Sequence, residues 1–231
     1  MSFKKIVVLT GAGVSAESGL STFRDAGGLW EGHDVYEVAS PQGWKKDPDV
    51  VLKFYNERRR QLEHVQPNAA HFAIAKLQER FDVSVITQNV DNLHERAGSK
   101  NVLHLHGELT KARSTLPPYN VYDIGYADIN RGDMCEKGGQ LRPNIVWFGE
   151  PVPLITDAAI IAETADIFIV VGTSLVVYPA ASLIDYVKRD AMKYIVDPNK
   201  PSINSFYKNL EFITEKATVG TVPLVEKLLN M

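Results

Sequence analysis

The sequence predicts an α/β fold, a doubly wound Rossmann-like parallel sheet with a smaller inserted lobe. Six short runs rich in β-branched residues resemble buried strands of a parallel sheet, and helical patterns lie between most of them. Strands that alternate with helices are typical of a sheet covered on both faces. The predicted strands are residues 5–9, 83–87, 102–106, 145–148, 167–171 and 193–197. The predicted helices are residues 47–63, 67–80, 91–97, 156–164, 179–190 and 221–229.

Two stretches interrupt this alternation and predict the inserted lobe. Residues 30–65 are helical and charged, and residues 107–144 are rich in Gly, Pro, Asn and Asp with weak periodicity. The remaining segments, 1–29, 66–106 and 145–231, are assigned to the larger sheet domain. We expect a ligand cleft between the two lobes, because binding sites are common where domains meet.

Composition limits the function classes. The 231 residues are 45% hydrophobic and 23% charged, with a formal net charge of −3, which argues against a nucleic-acid-binding protein. No stretch approaches the roughly 20 apolar residues that span a bilayer, so we expect no membrane association. The single cysteine, Cys135, excludes an intramolecular disulfide and is typical of a reducing, cytoplasmic location.

The segment VVLTGAGVSAESG, residues 7–19, fits the dinucleotide pattern G-x-G-x-x-G/A, with Gly11, Gly13 and Ala16 at the small positions. Glycines after a strand let the backbone turn tightly and approach a phosphate at the start of the next helix. An ordinary strand-to-helix turn has the same appearance, so the motif alone leaves both interpretations open.

The residues after these glycines argue against a dehydrogenase. That fold has a second strand ending in Asp or Glu about 20 residues further on, which binds the ribose. Residues 17–30, ESGLSTFRDAGGLW, contain no such strand. We interpret them instead as a loop that folds over a ligand, with Phe23 and Arg24 in contact with it.

Polar residues follow the next predicted strand. Gln88, Asn89 and Asp91 come after residues 83–87, and polar side chains at the C-terminal ends of parallel strands lie over the ligand crevice. Asn89 and Asp91 are therefore candidates for hydrogen bonds to a ribose or a carboxamide. Asp91 also suits the N-cap of the following helix, and both interpretations stay open.

Two histidines, His104 and His106, lie two residues apart on a predicted strand and therefore point the same way. His106 precedes Gly107 at the mouth of the strand, where an imidazole is suited to act as a general base near neutral pH. His104 better suits a buried structural histidine. A further strand ends in GTS (residues 172–174), which either meets a ribose or phosphate or is an ordinary strand-to-loop transition.

Taken together, these motifs resemble the sirtuin family of NAD-dependent protein lysine deacylases. The family pattern Gly-Ala-Gly-x-Ser-x-x-Ser-Gly-x-x-x-Phe-Arg stands at residues 11–24. The segments that follow in family order are residues 88–91, His106-Gly107, VWFGE (146–150) and GTS (172–174). The resemblance covers nearly the whole chain. It implies that NAD is consumed as a co-substrate: the acyl group of an acylated lysine on a protein passes to ADP-ribose, and nicotinamide leaves.

The resemblance also implies roles for site residues. His106 is the implied general base on the ribose hydroxyls, and Asn89 and Asp91 act beside the nicotinamide carboxamide and ribose. The implied NAD-binding residues are Gly11, Ala12, Gly13, Ser15, Phe23, Arg24, Trp30, Gln88, Asn89, Asp91, Gly172, Thr173, Ser174, Asn199 and Ala217. The implied substrate-binding residues are Tyr55, Arg58, Val146, Phe148, Gly149 and Glu150. The segment 146–150 is expected to pair with the substrate peptide as an added β-strand.

Tyr55 and Arg58 lie three residues apart on a predicted helix and therefore share a face. An arginine beside a tyrosine hydroxyl at the floor of a pocket is suited to bind a carboxylate. This Tyr-x-x-Arg pair resembles the sirtuin branch that removes succinyl and malonyl groups, so we expect desuccinylase and demalonylase activity beside deacetylation. Arg59 and Arg60 are expected to lie on a solvated helix face, as charged runs usually do.

The sequence departs from the family in two places. Most sirtuins hold a structural zinc with four cysteines in the small lobe, whereas residues 111–143 contain only Cys135, so we predict no bound zinc. The lobe is then expected to be held by its apolar side chains, namely Leu116, Tyr119, Val121, Tyr122, Ile124 and Tyr126. The second departure is Asp197-Pro198-Asn199, where the family commonly has Asn for the adenosine ribose, and either Asn199 or backbone groups take that role.

Three alternative functions fit parts of the pattern. A mono-ADP-ribosyltransferase shares the NAD site, but it has no evident use for the pair formed by Tyr55 and Arg58. A non-catalytic NAD-sensing module does not require His106 at the strand mouth, and a dehydrogenase requires the missing second-strand acid. The sequence leaves the protein substrates and the oligomeric state open, and a monomer is expected.

Overall fold

The computed structural model describes residues 4–20, 29–30, 32–200 and 207–231. The strands in these residues are β1 (Lys5–Thr10), β2 (Leu29–Trp30), β3 (His33–Asp34), β4 (Asp82–Thr87), β5 (Val102–His104), β6 (Gly107–Ser114), β7 (Val121–Asp123), β8 (Leu141–Ile145), β9 (Ile167–Val171), β10 (Met192–Val196) and β11 (Leu210–Ile213). The helices are α1 (Gly13–Ala16), α2 (Val35–Val38), α3 (Pro41–Lys46), α4 (Pro48–His64), α5 (Ala69–Lys76), α6 (Leu93–Arg96), α7 (Ile155–Glu163) and α8 (Ala217–Leu229), with 3₁₀ helices at Leu77–Glu79 and Ala180–Tyr186. None of the helices in the described ranges has the length and apolar character needed to cross a membrane.

Six strands form one parallel sheet in the order β11–β10–β9–β1–β4–β5. The chain starts in the middle of the sheet, builds one side with β4 and β5, and then crosses back to add β9, β10 and β11. This is the strand order of the dinucleotide-binding folds, with the switch point between β1 and β9. The predicted Rossmann-like sheet is therefore confirmed.

Side chains of β1 alternate between the two faces of this sheet, because successive residues of a strand point to opposite sides. Ile6 and Val8 are buried with residues of α5 and α8, whereas Val7 and Leu9 are buried with residues of α7 and the 3₁₀ helix Ala180–Tyr186. Helical segments thus cover both faces, as a doubly wound sheet requires.

The prediction of a parallel strand at residues 145–148 is wrong. The chain forms β8 at Leu141–Ile145, which pairs antiparallel with β6 in a small three-stranded sheet of order β7–β6–β8. The apolar side chains of Ile145 and Trp147 are buried with Val38 and Phe54 in a separate core of the inserted lobe. A short apolar run predicts burial, but it does not tell which core buries it.

Other elements also differ from the prediction. The stretches predicted without strands contain β2, β3, β6 and β7, and residues 179–190 form a 3₁₀ helix rather than an α-helix. The edge strand β11 was not predicted, because its residues are only partly buried and its sequence LEFI carries little strand signal. The lobe boundaries, residues 30–65 and 107–144, remain our proposal.

Arg59 corrects the expectation of a solvated arginine run. Its side chain is fully buried, and it donates hydrogen bonds from Nε to the Ala127 carbonyl at 2.9 Å and from Nη2 to Asn56 Oδ1 at 2.5 Å. A buried guanidinium is tolerated only when acceptors surround it, so Arg59 ties α4 to the loop that follows β7. Arg60 is exposed and pairs with Asp128, as predicted for a surface residue.

Packing of the predicted apolar side chains holds the lobe only in part. Leu116, Tyr119 and Val121 are exposed, so the expectation is wrong for these three. They lie around the tip of the β6–β7 hairpin, beyond the reach of the core. Tyr122 is half-buried, and Ile124 and Tyr126 pack at the edges of two buried clusters. The buried residues of the smaller cluster are Leu52, Ala112 and Ile129.

Cys135 is held by hydrogen bonds. Its Sγ lies 3.2 Å from Ser114 Oγ and accepts from the Gly139 N–H at 3.3 Å, which ties β6 to the loop before β8. No group of three or more His, Cys, Asp or Glu side chains suited to a metal occurs within the described residues. The absence of zinc stays a prediction that metal analysis tests.

Candidate functional site

The carboxyl ends of β1, β4, β5 and β9 meet at one edge of the parallel sheet, as their pairing requires. A cavity of about 320 Å³ opens there, between the sheet and the inserted lobe. Most of the predicted site residues line it. They are Gly11, Ala12, Ser15, Tyr55, Arg58, Gln88, Asn89, Asp91, His106, Val146, Phe148, Gly149, Glu150 and Thr173.

Gly13 and Gly172 lie behind the cavity wall and pack two turns together. The Gly13 N–H donates to the Gly172 carbonyl at 2.9 Å, and a Cβ on Gly13 would lie 2.8 Å from Gly172 Cα. Any larger side chain would therefore separate the turn after β1 from the turn after β9. Next to Gly172, the Ser174 hydroxyl is buried without a hydrogen-bond partner within the described residues.

Two further predicted NAD contacts, Ala217 and Asn199, do not line this cavity. Ala217 is buried in the core at the start of α8, and Asn199 is exposed after β10. Phe23 and Arg24 lie outside the described residues, and Trp30 is described only as part of β2.

His106 lies in the turn between β5 and β6, two residues beyond the last strand residue, rather than on the strand as predicted. Its Nδ1 lies 3.0 Å from the Gln88 carbonyl oxygen. A carbonyl only accepts, so Nδ1 carries the proton and Nε2 is left as the basic nitrogen. Burial lowers the pKa of His106, and the hydrogen bond to Gln88 only partly opposes this, so the imidazole is neutral near pH 7.

Gly107 makes this turn possible. Its φ of +82° is in the left-handed region, and a Cβ at this position would lie 1.9 Å from the Asn144 carbonyl oxygen. Only glycine fits such a close approach. The His106-Gly107 pair therefore fixes a base at the point where the chain leaves the large sheet for the small one.

Ser15 is the centre of a buried hydrogen-bond network beside the cavity. Its hydroxyl donates to Asp91 Oδ2 at 3.0 Å and accepts from Asn89 Nδ2 at 3.1 Å. The His71 Nε2 lies 3.4 Å from the same oxygen, and the Asn68 N–H donates to His71 Nδ1, which leaves the proton on Nε2. The hydroxyl thus uses its single donor and both acceptor positions.

Asp91 lies one residue before Asn92, the N-cap of α6, rather than at the N-cap itself, and its contact with a ribose or carboxamide stays a prediction. Its Oδ1 accepts from the Leu93 N–H at 3.1 Å at the start of α6, while its Oδ2 accepts from Ser15 and it borders the cavity. Burial raises the pKa of the Asp91 carboxyl, and these two hydrogen bonds offset only part of that shift. Asp91 therefore connects the helix start to the site.

His104 is buried, as the structural interpretation expected, and it does not line the cavity. Its Nδ1 lies 3.1 Å from the Asn89 carbonyl oxygen, and its Nε2 lies 2.7 Å from Glu95 Oε1. Both histidines thus face the segment after β4, but only His106 reaches the cavity.

At the lobe end of the cavity, α4 places Tyr55 and Arg58 side by side, as their spacing predicts. Tyr55 is fully buried, and its hydroxyl accepts from Trp147 Nε1 at 3.1 Å. The Arg58 guanidinium carbon lies 5.0 Å from the centre of the Phe54 ring. Its Nε and Nη1 are buried and have no hydrogen-bond partner among the described residues, while Nη2 lies 4.0 Å from Glu57.

The carboxylate of Glu150, predicted to bind substrate, is engaged within the protein. Arg142 donates to its two oxygens at 2.9 Å each, Arg113 donates to it at 2.9 Å, and the Trp147 N–H donates at 2.8 Å. Burial raises the pKa of Glu150, but the hydrogen bonds from Arg142 and Trp147 outweigh it and leave the group ionised. The Arg142 guanidinium also lies 3.3 Å from the centre of a Trp147 ring. Glu150 therefore holds the wall of the pocket rather than presenting a free carboxylate.

Sequence reasoning missed several lining residues. Trp147 is part of the quoted VWFGE motif, but its contact with Tyr55 joins positions 92 residues apart. Gln61 lies one helical turn after Arg58 and lines the same cavity, so the spacing used for Tyr55 and Arg58 also predicts it. Residues 177–179 also line the cavity and carry no motif of their own.

Comparison with known proteins identifies the family. Residues 11–179 match the model described as the Sir2 family. The chain belongs to the Sir2 family. It is 53% identical over 228 residues to a Helicobacter pylori protein named NAD-dependent protein deacylase, and the match covers 99% of this chain and 97% of that protein. A Bacteroides thetaiotaomicron protein of the same name is 52% identical, over 98% of each chain. The solved structure of a Sir2 homologue–NAD complex is 42% identical and superposes with a TM-score of 0.87, over 99% of this chain and 90% of that one.

The polar end of this Sir2-family cavity fits NAD chemically. Its side chains are amides and hydroxyls, of the kind that bind a carboxamide and a ribose: Gln88, Asn89, Ser15 and Thr173. A Cβ on Gly11 would lie 2.7 Å from Thr173 Cβ, so the turn after β1 is bare backbone against the turn after β9. Such a wall leaves main-chain groups accessible to a dinucleotide.

Proposed function

We propose that this Sir2-family protein is an NAD-dependent protein lysine deacylase that removes succinyl and malonyl groups as well as acetyl groups. Bound NAD supplies the ADP-ribosyl group that accepts the acyl group as nicotinamide leaves. The names of the relatives and the chemistry of the cavity support the general activity. The acyl preference is the finer part of the proposal and depends on Arg58.

The Arg58 guanidinium carries the argument for a carboxylate-bearing acyl group. Two of its nitrogens are buried without a partner among the described residues, and they lie beside Tyr55 in the cavity wall. Buried guanidinium N–H groups without an acceptor cost about 1–3 kcal/mol, so a ligand that supplies a carboxylate is favoured. A succinyl or malonyl group ends in a carboxylate, which arginine binds with two parallel hydrogen bonds. An acetyl group offers no such partner.

We assign the general base to His106. Burial keeps its imidazole neutral, and the Gln88 carbonyl holds the proton on Nδ1, so Nε2 is available to accept a proton from a ribose hydroxyl. A positioned base of this kind contributes about 10²–10⁴-fold to a rate. Asn89 and Asp91 would orient the ribose and carboxamide, and Ser15 holds both of these side chains in place.

Pairing of the substrate peptide with residues 146–150 is limited by internal hydrogen bonds. The N–H groups of Val146, Trp147 and Phe148 already donate to acceptors within the protein. The Trp147 carbonyl likewise accepts from the Glu150 N–H, so strand addition depends on the other main-chain groups of this segment, such as the Gly149 N–H. Main-chain pairing of this kind gives affinity with little sequence preference.

The other roles taken from the resemblance remain proposals without support from the cavity. They are the NAD contacts of Phe23, Arg24, Trp30, Gly13, Gly172, Ser174, Asn199 and Ala217. A cytoplasmic location and the lack of nucleic-acid binding likewise remain predictions from composition, and a monomeric state remains an expectation.

The experiment uses the purified protein, NAD and three peptides of one sequence that carry acetyl-, succinyl- or malonyl-lysine. Mass spectrometry is expected to detect the matching O-acyl-ADP-ribose and the free lysine peptide in all three reactions. Absence of product with every peptide would overturn the deacylase assignment. Product with the acetyl peptide alone would overturn the acyl preference, and ADP-ribose attached to a protein acceptor instead would favour the mono-ADP-ribosyltransferase.

A further inference from the structure

His104 faces two groups that accept hydrogen bonds and donate none. Its Nδ1 lies 3.1 Å from the Asn89 carbonyl oxygen, and its Nε2 lies 2.7 Å from the Glu95 carboxylate. A neutral imidazole carries only one N–H, so it satisfies only one of these contacts when Glu95 is ionised. The imidazolium carries two and satisfies both. The geometry therefore selects the charged form of a histidine that is itself buried.

We propose that His104 is a positioning residue: as an imidazolium paired with Glu95, it fixes the loop that carries Asn89 and Asp91 and so sets the alkaline limit of catalysis. This inference rests on the proposed deacylase function, because turnover is one of its readouts. In this proposal His104 acts through the loop and contacts neither NAD nor substrate.

The loop after β4 is held through three consecutive carbonyl groups. The Gln88 carbonyl accepts from His106, the Asn89 carbonyl accepts from His104, and the Val90 carbonyl accepts from the Leu109 N–H at 2.8 Å. The three donors lie within residues 104–109, which span the end of β5, the turn and the start of β6. Loss of the middle bond would loosen the backbone from which the Asn89 side chain reaches Ser15.

The charges around His104 favour the imidazolium. The titratable groups that face it are Glu95, Glu108, Asp91 and His94, and Lys111 faces Glu95. Burial lowers the pKa of His104, but the hydrogen bond and the charge of Glu95 outweigh this, so the pKa lies above the usual value of 6.5. His104 in turn lowers the pKa of Glu95, against the effect of burial.

The sign of the pH effect follows from this shift. A histidine whose folded pKa is raised contributes its full stabilisation below the unfolded pKa, and the contribution is lost as the pH rises through the folded pKa. Above that point His104 keeps one proton, and one of its two contacts becomes a contact between lone pairs. His106 has the opposite shift, since burial lowers its pKa. Activity is therefore expected between two limits, the acid one set by His106 and the alkaline one by His104.

The first test measures His104 without turnover. Long-range ¹H–¹⁵N NMR of the ring nitrogens, assigned by their absence in His104→Gln, is expected to show loss of the second ring proton with a midpoint above pH 6.5. Glu95→Gln should lower that midpoint by about one pH unit or more, because it removes the facing charge. A midpoint at or below 6.5 in the unmodified protein would overturn the proposal even if the enzyme has no deacylase activity.

The second test follows kcat/KM for NAD against pH with a saturating acyl-lysine peptide. Glu95→Gln, at a half-exposed side chain, should move the alkaline limit to lower pH and leave the acid limit in place. In His104→Gln the glutamine side chain does not titrate, so this variant should lose the alkaline limit, and its kcat should be about 10-fold lower.

The control Glu163→Gln changes an exposed carboxylate at the end of α7 and should leave both limits unchanged. An alkaline limit that is the same in Glu95→Gln and the unmodified protein would contradict the proposal, whereas a lower melting temperature alone would indicate only a structural role.

Discussion

Trp147 donates a hydrogen bond from its indole Nε1 to the hydroxyl oxygen of Tyr55 at 3.1 Å, and both side chains are almost fully buried. The bond joins the segment after β8 to α4 and fixes the phenol at the lobe end of the cavity, beside Arg58. Burial raises the pKa of the Tyr55 hydroxyl well above its usual value, so the group remains a neutral phenol. The arrangement places a fixed polar group next to a cation, as a carboxylate pocket requires.

Trp147→Phe removes the donor and keeps an aromatic ring for Arg142 to pack on. We expect KM for the succinyl peptide to rise about 3–10-fold, because one buried hydrogen bond contributes roughly 0.5–1.5 kcal/mol. The acetyl peptide serves as the internal control, since it does not require the orientation of Tyr55. Steady-state kinetics with both peptides measure the effect, and an equal rise in both KM values would show that Trp147 acts on the fold rather than on the acyl pocket.

The acid side of the pH profile is expected to follow His106. Burial lowers the pKa of this group, so the acid limit of kcat should lie below pH 6.5. The same shift makes the folded state bind fewer protons than the unfolded chain, so the free energy of unfolding should also decrease below about pH 6.5.

His106→Asn should lower kcat by about 10²-fold or more at every pH. A variant that keeps both kcat and the acid limit would rule out His106 as the base.

Arg59 is expected to matter for stability, and its neighbour Arg60 is the matched control. Arg59→Met removes the buried donor to the Ala127 and Leu109 carbonyls and one of the two donors to Asn56 Oδ1, so the free energy of unfolding should fall by about 2–5 kcal/mol. Arg60→Met removes an exposed ion pair with Asp128 and should leave the free energy of unfolding unchanged. Urea unfolding of both variants measures the difference. Similar transitions for the two would contradict the assignment of Arg59 to the interior of the lobe.

Metal analysis tests the prediction that no zinc is bound. Purified protein is expected to contain far less than one zinc per chain, and a chelator should leave the melting temperature unchanged. The reason is that one cysteine cannot form a tetrahedral zinc site, and no group of three or more His, Cys, Asp or Glu side chains suited to a metal occurs among the described residues. About one equivalent of zinc, lost together with stability on chelation, would refute the prediction.

Sequence patterns predicted the large sheet well, because buried parallel strands are continuous β-branched runs; β9 has the predicted bounds of 167–171. They failed where the same apolar composition served another core, as at residues 145–148. The helical spacing that placed Tyr55 beside Arg58 is local, so it could be read from the sequence. The contacts of Ser15 with His71 and of Tyr55 with Trp147 join distant positions, and no local pattern predicts them. Arg59 was assigned to the surface because a charged run does not reveal which of its members meets buried carbonyls.

The central claim is that Arg58 selects acyl groups that end in a carboxylate, and the most direct measurement compares Arg58→Met with Arg60→Met, two residues away on α4. For each variant, kcat/KM is measured with succinyl-lysine and acetyl-lysine versions of one peptide. Arg58→Met is expected to lower the succinyl value about 10–100-fold, as loss of charge-assisted hydrogen bonds predicts, and to leave the acetyl value within about 3-fold. Arg60→Met should change neither. Unchanged succinyl turnover in Arg58→Met, or a parallel loss with both peptides, would contradict the account.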